Sequence, residues 1–257
     1  MNSVENAAAQ ASEVDQAPLI EIDDVAVHFG GVKAVDGVTM RLRPGLIYGI
    51  IGANGSGKST LFGAISRLVP LTRGSLRFDG VPFDRQPAYK IPHLGIARSF
   101  QTVRLLEDRT VRDNIRLGHD AVGKASRSVI EQRVTDVLTR LALDEVAEVY
   151  PDALSYGIQR RVEIARAIVS QPRLLLLDEP TAGMNGPERD EVSELMLALK
   201  GEGITQFLVE HDVQMMVDTC DYLFAMNMGK LIAEGPPQSV VEDAEVRRSY
   251  MGGSADA

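Results

Sequence analysis

The chain has 257 residues and one cysteine, Cys220, so no disulfide can close within it and a reducing compartment is expected. That thiol reads as a buried, inert side chain. Long apolar runs are missing as well. The longest clear one, Leu174 to Leu177, stops at Asp178 and is far too short to cross a bilayer. The opening stretch MNSVENAAAQASEVDQA lacks the basic start and apolar segment of a secretion signal. It reads as a disordered tail over 1–17, with a shorter flexible tail over 252–257. Positive charge is in deficit, with 27 Lys plus Arg against 36 Asp plus Glu and a formal net charge of -9. Non-specific grip on nucleic acid rests on Lys and Arg, so no nucleic-acid partner is expected, although a local basic groove stays open. Internal repeats are absent, and low complexity is confined to the tails. If the protein works at a membrane, these absences have it docking there on other proteins.

What is present is an ordinary globular composition, 44% hydrophobic and 25% charged, enough to bury a substantial core as one large domain or two lobes between the tails, over 18–251. Alternating apolar residues (Ile20, Ile22, Val25, Val27) predict a strand over 19–29, with further strands over 38–42 and 46–51. A strand over 75–78 runs into an Asp79-Gly80 turn, a hairpin signal. A helix is expected over 59–68, directly after a glycine-rich loop. Ile130, Val134, Leu138 and Leu141 recur at helical spacing, as do Ile158, Val162, Ala165 and Val169, which marks a helical insert over about 101–170. Leu174 to Leu177 fits a parallel strand covered on both faces. Val192, Leu195, Met196 and Leu199 mark another helix, followed by a strand over 206–209 and a late hairpin over 222–234 centred on Gly229. The expected fold class is α/β, with strands and helices alternating after a β-rich opening (an antiparallel β-subdomain) and the helical insert; the glycine-rich loop over 52–59 makes its core that of a P-loop NTPase.

Three motifs carry chemistry. Gly52-Ala53-Asn54-Gly55-Ser56-Gly57-Lys58-Ser59 fits G-x-x-x-x-G-K-[ST] without departure. Its glycines let backbone N–H groups turn inward around an anion at the start of the following helix. Lys58 can reach the β- and γ-phosphates of ATP, and the Ser59 hydroxyl can complete the shell of a Mg²⁺ ion. The loop alone does not choose among transporters, GTPases, kinases and helicases. Leu174 to Leu177 then ends in Asp178-Glu179-Pro180. A carboxylate at a strand tip beside a P-loop can hold Mg²⁺, the role read for Asp178. Its neighbour Glu179 can orient an attacking water. Alone, the pair would read as a solvated turn; beside a P-loop it reads as catalytic. Finally, Ser155 in Leu154-Ser155-Tyr156-Gly157 is a good helix N-cap, and its hydroxyl with the Gly157 N–H can face an anion.

The ordered set of P-loop, Gln101, Leu-Ser-x-Gly, Asp-Glu-Pro and His211 resembles the ATP-binding subunits of ABC transporters over about 19–235. The resemblance implies the ABC ATPase fold and an ATPase with ATP and Mg²⁺ as cofactors. It places Gly52, Asn54, Gly55, Ser56, Gly57, Lys58, Ser59 and Thr60 around the nucleotide. It makes Gln101 a sensor of Mg²⁺ and water, and hence both a metal-binding and a catalytic residue. His211 becomes the histidine that contacts the γ-phosphate. Phe29 matches the aromatic that stacks on adenine, with a core phenylalanine as the alternative. Two such subunits are implied to meet head to tail, Ser155 and Gly157 of one contacting the ATP held by Lys58 of the other. His28, His93 and His119 fit no such position. Within the family, 95–101, 110–115, 160–166 and 182–185 are similar to the ATP-binding proteins of branched-chain amino-acid importers. That likeness implies integral-membrane permease subunits, a second ATP-binding subunit (a heterodimer favoured over a homodimer) and a solute-binding protein, at the cytoplasmic face of a membrane. An ABC exporter of lipid or lipopolysaccharide type, and a soluble ABC ATPase acting on nucleic acid or ribosomes, are the alternatives. Tyr156 and Ile158 stand where the wider superfamily has Gly and Gln, Asn185 where many relatives carry Asp, and 117–125 is short. These departures leave ATP binding untouched and the transported substrate open.

Overall fold

The computed structural model describes residues 17–99, 103–120, 122 and 125–251. Gln101 and the tails at 1–16 and 252–257 lie outside the described residues. The chain opens with β1 (Ile20–Phe29) and β2 (Val32–Leu42), passes through β3 (Ile47–Ile51), and returns with β4 (Arg73–Phe78) and β5 (Val81–Pro82). β2, β1, β4 and β5 form, in that order, an antiparallel four-stranded sheet. Ile20, Ile22, Val25 and Val27 of β1 are all buried in one core, because a register shift between Ile22 and Val25 returns the second pair to the face of the first. Asp79 (φ 54°) and Gly80 (φ 73°) form the tight turn between β4 and β5.

The second sheet has six strands in the order β10-β9-β3-β8-β7-β6, with β6 (Ile96–Arg98), β7 (Leu174–Asp178), β8 (Thr205–Val209), β9 (Tyr222–Asn227) and β10 (Lys230–Gly235). Five of these run parallel, and β10 closes the edge as an antiparallel hairpin with β9. Alternate side chains of this sheet feed two separate cores. Tyr48, Ile50, Leu174, Leu176, Phe207 and Phe224 point into a core shared with the antiparallel sheet and helix α1 (Lys58–Ile65). Ile47, Ile51, Leu175, Leu177, Leu208 and Leu223 point the other way, into a core built with helices. The uninterrupted leucine run of β7 is the consequence, because both faces of that strand are covered.

The helices over the second core are α2 (Val111–Asp120), α3 (Arg127–Arg140), α4 (Tyr156–Ile168), α5 (Gly186–Gly201) and α6 (Val213–Thr219). The chain finishes with α7 (Pro237–Glu242) and α8 (Ala244–Met251), where Val240 and Val246 join the same core. Val134, Leu138, Leu141, Val162, Ala165 and Val169 are buried, as their periodicity demanded. No described helix is long and apolar enough to cross a membrane.

Some bounds differ from the sequence expectation. Helix α1 stops at Ile65 rather than 68. The Ser66 hydroxyl donates back to the Phe62 carbonyl at 2.8 Å, Arg67 turns left-handed at φ 58°, and Val69 N–H closes onto the Gly63 carbonyl at 3.0 Å. Strand β2 begins at Val32 rather than at 38, pairing with Phe29 across the hairpin. Strand β6 and helices α6, α7 and α8 carry no pattern long enough to be read from sequence. Cys220 is buried, and burial pushes its thiol well above the usual range, which matches an inert side chain.

Candidate nucleotide and hydrolysis site

The glycine-rich loop links the C-terminal end of β3 to the start of α1, where the helix N-terminus favours negative charge. Its shape depends on glycine at 57. Gly57 sits at φ 109°, and a β-carbon there would stand 2.1 Å from the Ala34 carbonyl oxygen of β2. Lys58 is buried at 6% exposure, and its ammonium donates to the carbonyls of Gly52 (2.7 Å) and Ala53 (3.0 Å) and to the Ser56 hydroxyl (3.4 Å). Burial holds that ammonium below the usual lysine range, and the charges of Glu179 and Asp178 partly offset the effect. A cation already drawn inward, with two carboxylates behind it, suits a cluster of phosphate oxygens in front.

A cleft of about 380 Å³ opens over this loop. Asn54, Gly55, Gly57, Lys58, Ser59 and Thr60 form its floor, and Glu179 and His211 stand on its wall. Val32, Lys33, Ala34 and Met228 complete it, from the β1–β2 and β9–β10 hairpins. The apolar pair Val32 and Met228, 66% and 83% exposed, was not foreseen from sequence, since nothing local marks two hairpin residues as neighbours of a P-loop. Phe29 faces solvent at 54% exposure beside Val32 and is not among the residues walling the cleft, so the core alternative for it fails while its side chain stays outside the cleft itself.

Strands β7 and β8 deliver the acidic pair and the histidine. Asp178 and Val209 are register partners at the ends of those strands, so the residues that follow emerge side by side. Glu179 leaves the strand in a left-handed conformation at φ 49°, rare for a residue with a β-carbon, which swings its carboxylate over the loop. There Oε1 lies 3.0 Å from His211 Nε2. Buried Arg160, from α4, holds this turn from below: Nη2 donates to the carbonyls of Asp178 (2.7 Å) and Glu179 (2.6 Å), and Nε to that of Pro180 (3.2 Å). The sequence placed Arg160 only within a family likeness and gave it no role.

Asp178 is buried at the strand tip. Its Oδ2 accepts from Arg98 Nη2 at 2.9 Å, and its backbone N–H reaches Ser99 Oγ at 3.4 Å. Its Oδ1 is buried without a hydrogen-bond partner among the described residues. An orphaned carboxylate oxygen at such depth fits a hard cation. Among the described residues no cluster of three His, Cys, Asp or Glu side chains could hold a metal alone. The orphaned Asp178 oxygen suits Mg²⁺, which is bound through one or two protein oxygens together with substrate phosphates.

Ser155 and Gly157 are not brought into this cleft. They line a small separate hollow with Met184, Glu188 and Glu191. Ser155 caps α4, with the Ile158 N–H 3.5 Å from its hydroxyl. Asn185, where a carboxylate is common in the resembled family, caps α5 in a reciprocal box. Its side chain accepts from Glu188 N–H at 3.1 Å while Glu188 Oε2 accepts from Asn185 N–H at 3.0 Å. The amide serves this capping role as well as a carboxylate would.

The family described as ABC transporter matches residues 35–182, and that described as branched-chain amino acid ATP-binding cassette transporter matches residues 230–256. The chain is 32% identical over 251 residues to the high-affinity branched-chain amino acid transport ATP-binding protein BraF of Pseudomonas aeruginosa, covering 91% of this chain and 98% of that one. It is 33% identical over 250 residues, with the same coverage, to LivG of Escherichia coli, which carries the same description. Among solved structures, the ADP conformation of MJ1267, an ATP-binding cassette of an ABC transporter, superposes with a TM-score of 0.85 at 29% identity, covering 92% of this chain and all of that one. The P-loop, the acidic strand tip and these matches together make the chain a member of the ABC transporter family, an ATPase that serves as the ATP-binding subunit of a transporter.

Proposed function

We propose that this chain powers an importer of branched-chain amino acids or similarly small polar solutes, hydrolysing ATP at a site completed by a second ATP-binding subunit. The observation that carries the catalytic reading is the Glu179–His211 pair, 3.0 Å apart on the wall of the cleft above Lys58. Residues 18–251 act as one ABC ATP-binding domain. Backbone N–H groups of the loop and Lys58 hold the phosphates of ATP, and Ser59 and Asp178 Oδ1, together with Gln101, hold Mg²⁺. Mg²⁺ held there would neutralise phosphate charge. Glu179 orients the attacking water and takes its proton, while His211 steadies the carboxylate and faces the γ-phosphate. Phe29, exposed next to Val32 beside the cleft, stacks on the base where it projects past Val32 and Met228.

The Ser155–Gly157 turn lies in its own hollow, away from Lys58, which supports a head-to-tail pair in which each subunit completes the other's site. ATP then joins the subunits, and its hydrolysis loosens them. A different second chain is favoured over a second copy, because importers of the resembled group often use two. Permease subunits and a solute-binding protein complete the assembly at the cytoplasmic face of a membrane. The match of residues 230–256 supports branched-chain amino acids as cargo.

The test is to purify the chain with its membrane partners, reconstitute the complex in vesicles and follow ATP-driven movement of labelled leucine. Glu179→Gln keeps shape and ATP binding but removes the proton acceptor, so turnover falls by about 10² to 10⁴ and transport stops. Turnover within about threefold of the parent, well short of that range, refutes the role of Glu179. Movement of a different solute class, or outward pumping, refutes the cargo.

A further inference from the structure

Glu210 stands one residue before His211 and is absent from the cleft wall. Its side chain is buried at 4% exposure, where a carboxylate is costly unless its lone pairs are filled. They are filled in a particular way. Oε1 accepts from both the N–H and the hydroxyl of Thr181, each at 2.7 Å, and Oε2 accepts from the His211 N–H at 3.2 Å. One carboxylate therefore ties the turn after β7 to the turn after β8.

Those two turns carry Glu179 and His211. The ladder between β7 and β8 ends with Asp178 opposite Val209, followed by the Glu179 N–H on the Val209 carbonyl at 2.9 Å. Beyond that bond the strands diverge into loops, and Glu210 carries the connection onward. It also completes the clamp on Glu179. A left-handed residue with a β-carbon persists only where its surroundings over-determine it. Arg160 holds the carbonyls of 178 to 180 on one side, and Glu210 holds the amide of Thr181 on the other. Three donors converge on the two oxygens, so the position calls for an acceptor-only group. A glutamine would turn its NH₂ toward either Thr181 or the His211 N–H.

We infer that Glu210 is a positioning residue for ATP hydrolysis. It fixes the separation and orientation of Glu179 and His211 and acts on the reaction through them, with Thr181 as its partner. This rests on the assignment of Glu179 and His211 to the attacking water.

The experiment uses the full chain assembled with its membrane partners, carrying Glu210→Gln, Thr181→Val or Thr181→Ser, each alone, and Glu210→Gln also with His211→Ala. Steady-state kcat and KM for ATP are measured beside calorimetric ATP binding. Because small misplacements near reacting groups cost up to about 10²-fold, Glu210→Gln and Thr181→Val should lower kcat by about 10- to 100-fold. KM and the binding stoichiometry should stay within about twofold, since the phosphate loop is untouched. Thr181→Ser restores both donors and should recover turnover. In the His211→Ala background, Glu210→Gln should add less than about threefold, because residues that act as a unit are non-additive. The inference is overturned if Glu210→Gln and Thr181→Val both keep kcat within about threefold of the parent, or if Glu210→Gln costs the same factor with and without His211. If His211→Ala and Glu179→Gln themselves leave turnover intact, the reading of the site fails and this inference fails with it.

Discussion

Replacing Arg160 with methionine keeps most of the side chain's volume and removes every donor it carries. The native guanidinium has 0% exposed surface and bonds the carbonyls of Asp178, Glu179 and Pro180, and it pairs with Glu163, itself 1% exposed. The substitution strips three backbone carbonyls of this donor and takes from the buried Glu163 carboxylate its nearer guanidinium, leaving Arg166 at 4.0 Å. Breaking a buried ion pair from one side costs about 3–5 kcal/mol. In a domain of this size each kcal/mol moves the midpoint by about 2–4 °C, so Arg160→Met should lower Tm by about 6–20 °C in a thermal melt. Adding Glu163→Leu removes the buried charge whose nearer partner is gone, and paired replacement of buried ions by apolar groups is often neutral, so most of the stability should return. Turnover should not return, because the carbonyls under Glu179 still lack the fork that holds its left-handed turn. A single variant that melts within about 3 °C of the parent, less than the smallest shift expected, would refute the energetic argument. A double variant with normal turnover would refute the link from Arg160 to Glu179.

Gly57→Ala places a β-carbon 2.1 Å from the Ala34 carbonyl, whereas Gly55→Ala, at φ 77°, meets nothing within 4 Å. Both pay left-handed strain of about 1–2 kcal/mol, but only the first must also displace the loop, so calorimetry should show the larger loss of ATP affinity at 57. Equal losses would remove the role assigned to the Ala34 contact. Burial holds the Lys58 ammonium below the ordinary lysine value of 10.5. The unfolded chain therefore binds that proton more tightly, and the nucleotide-free protein should gain stability as pH rises through the folded pKa toward 10.5. Lys58→Met should lose that gain, and parallel pH–stability curves of parent and variant from urea denaturation would contradict it.

The sequence by itself determined the parts whose function lies in contiguous backbone. A P-loop is one strand end, one glycine-rich turn and one helix start, so residues 52–59 specify its geometry nearly alone. The run from Leu174 to Asp178 likewise announced a strand buried on both faces and a carboxylate at its tip, because burial on two faces leaves no polar alternation. Periodicity gave α3, α4 and α5, whose buried faces recur over several turns. The pieces that escaped are short or depend on pairing across the chain. Strand β6 is three residues long, too short for any period, yet it brings Arg98 onto Asp178 across 80 positions. Val32 and Met228 meet the cleft because two hairpins from different sheets converge there. Glu210 and Thr181, 29 residues apart, become partners because β7 and β8 lie side by side in register. Local chemistry is written in neighbouring residues, whereas the support of a catalytic pair is set by which strands the fold makes adjacent, and that adjacency exists once both cores have closed around the sheet.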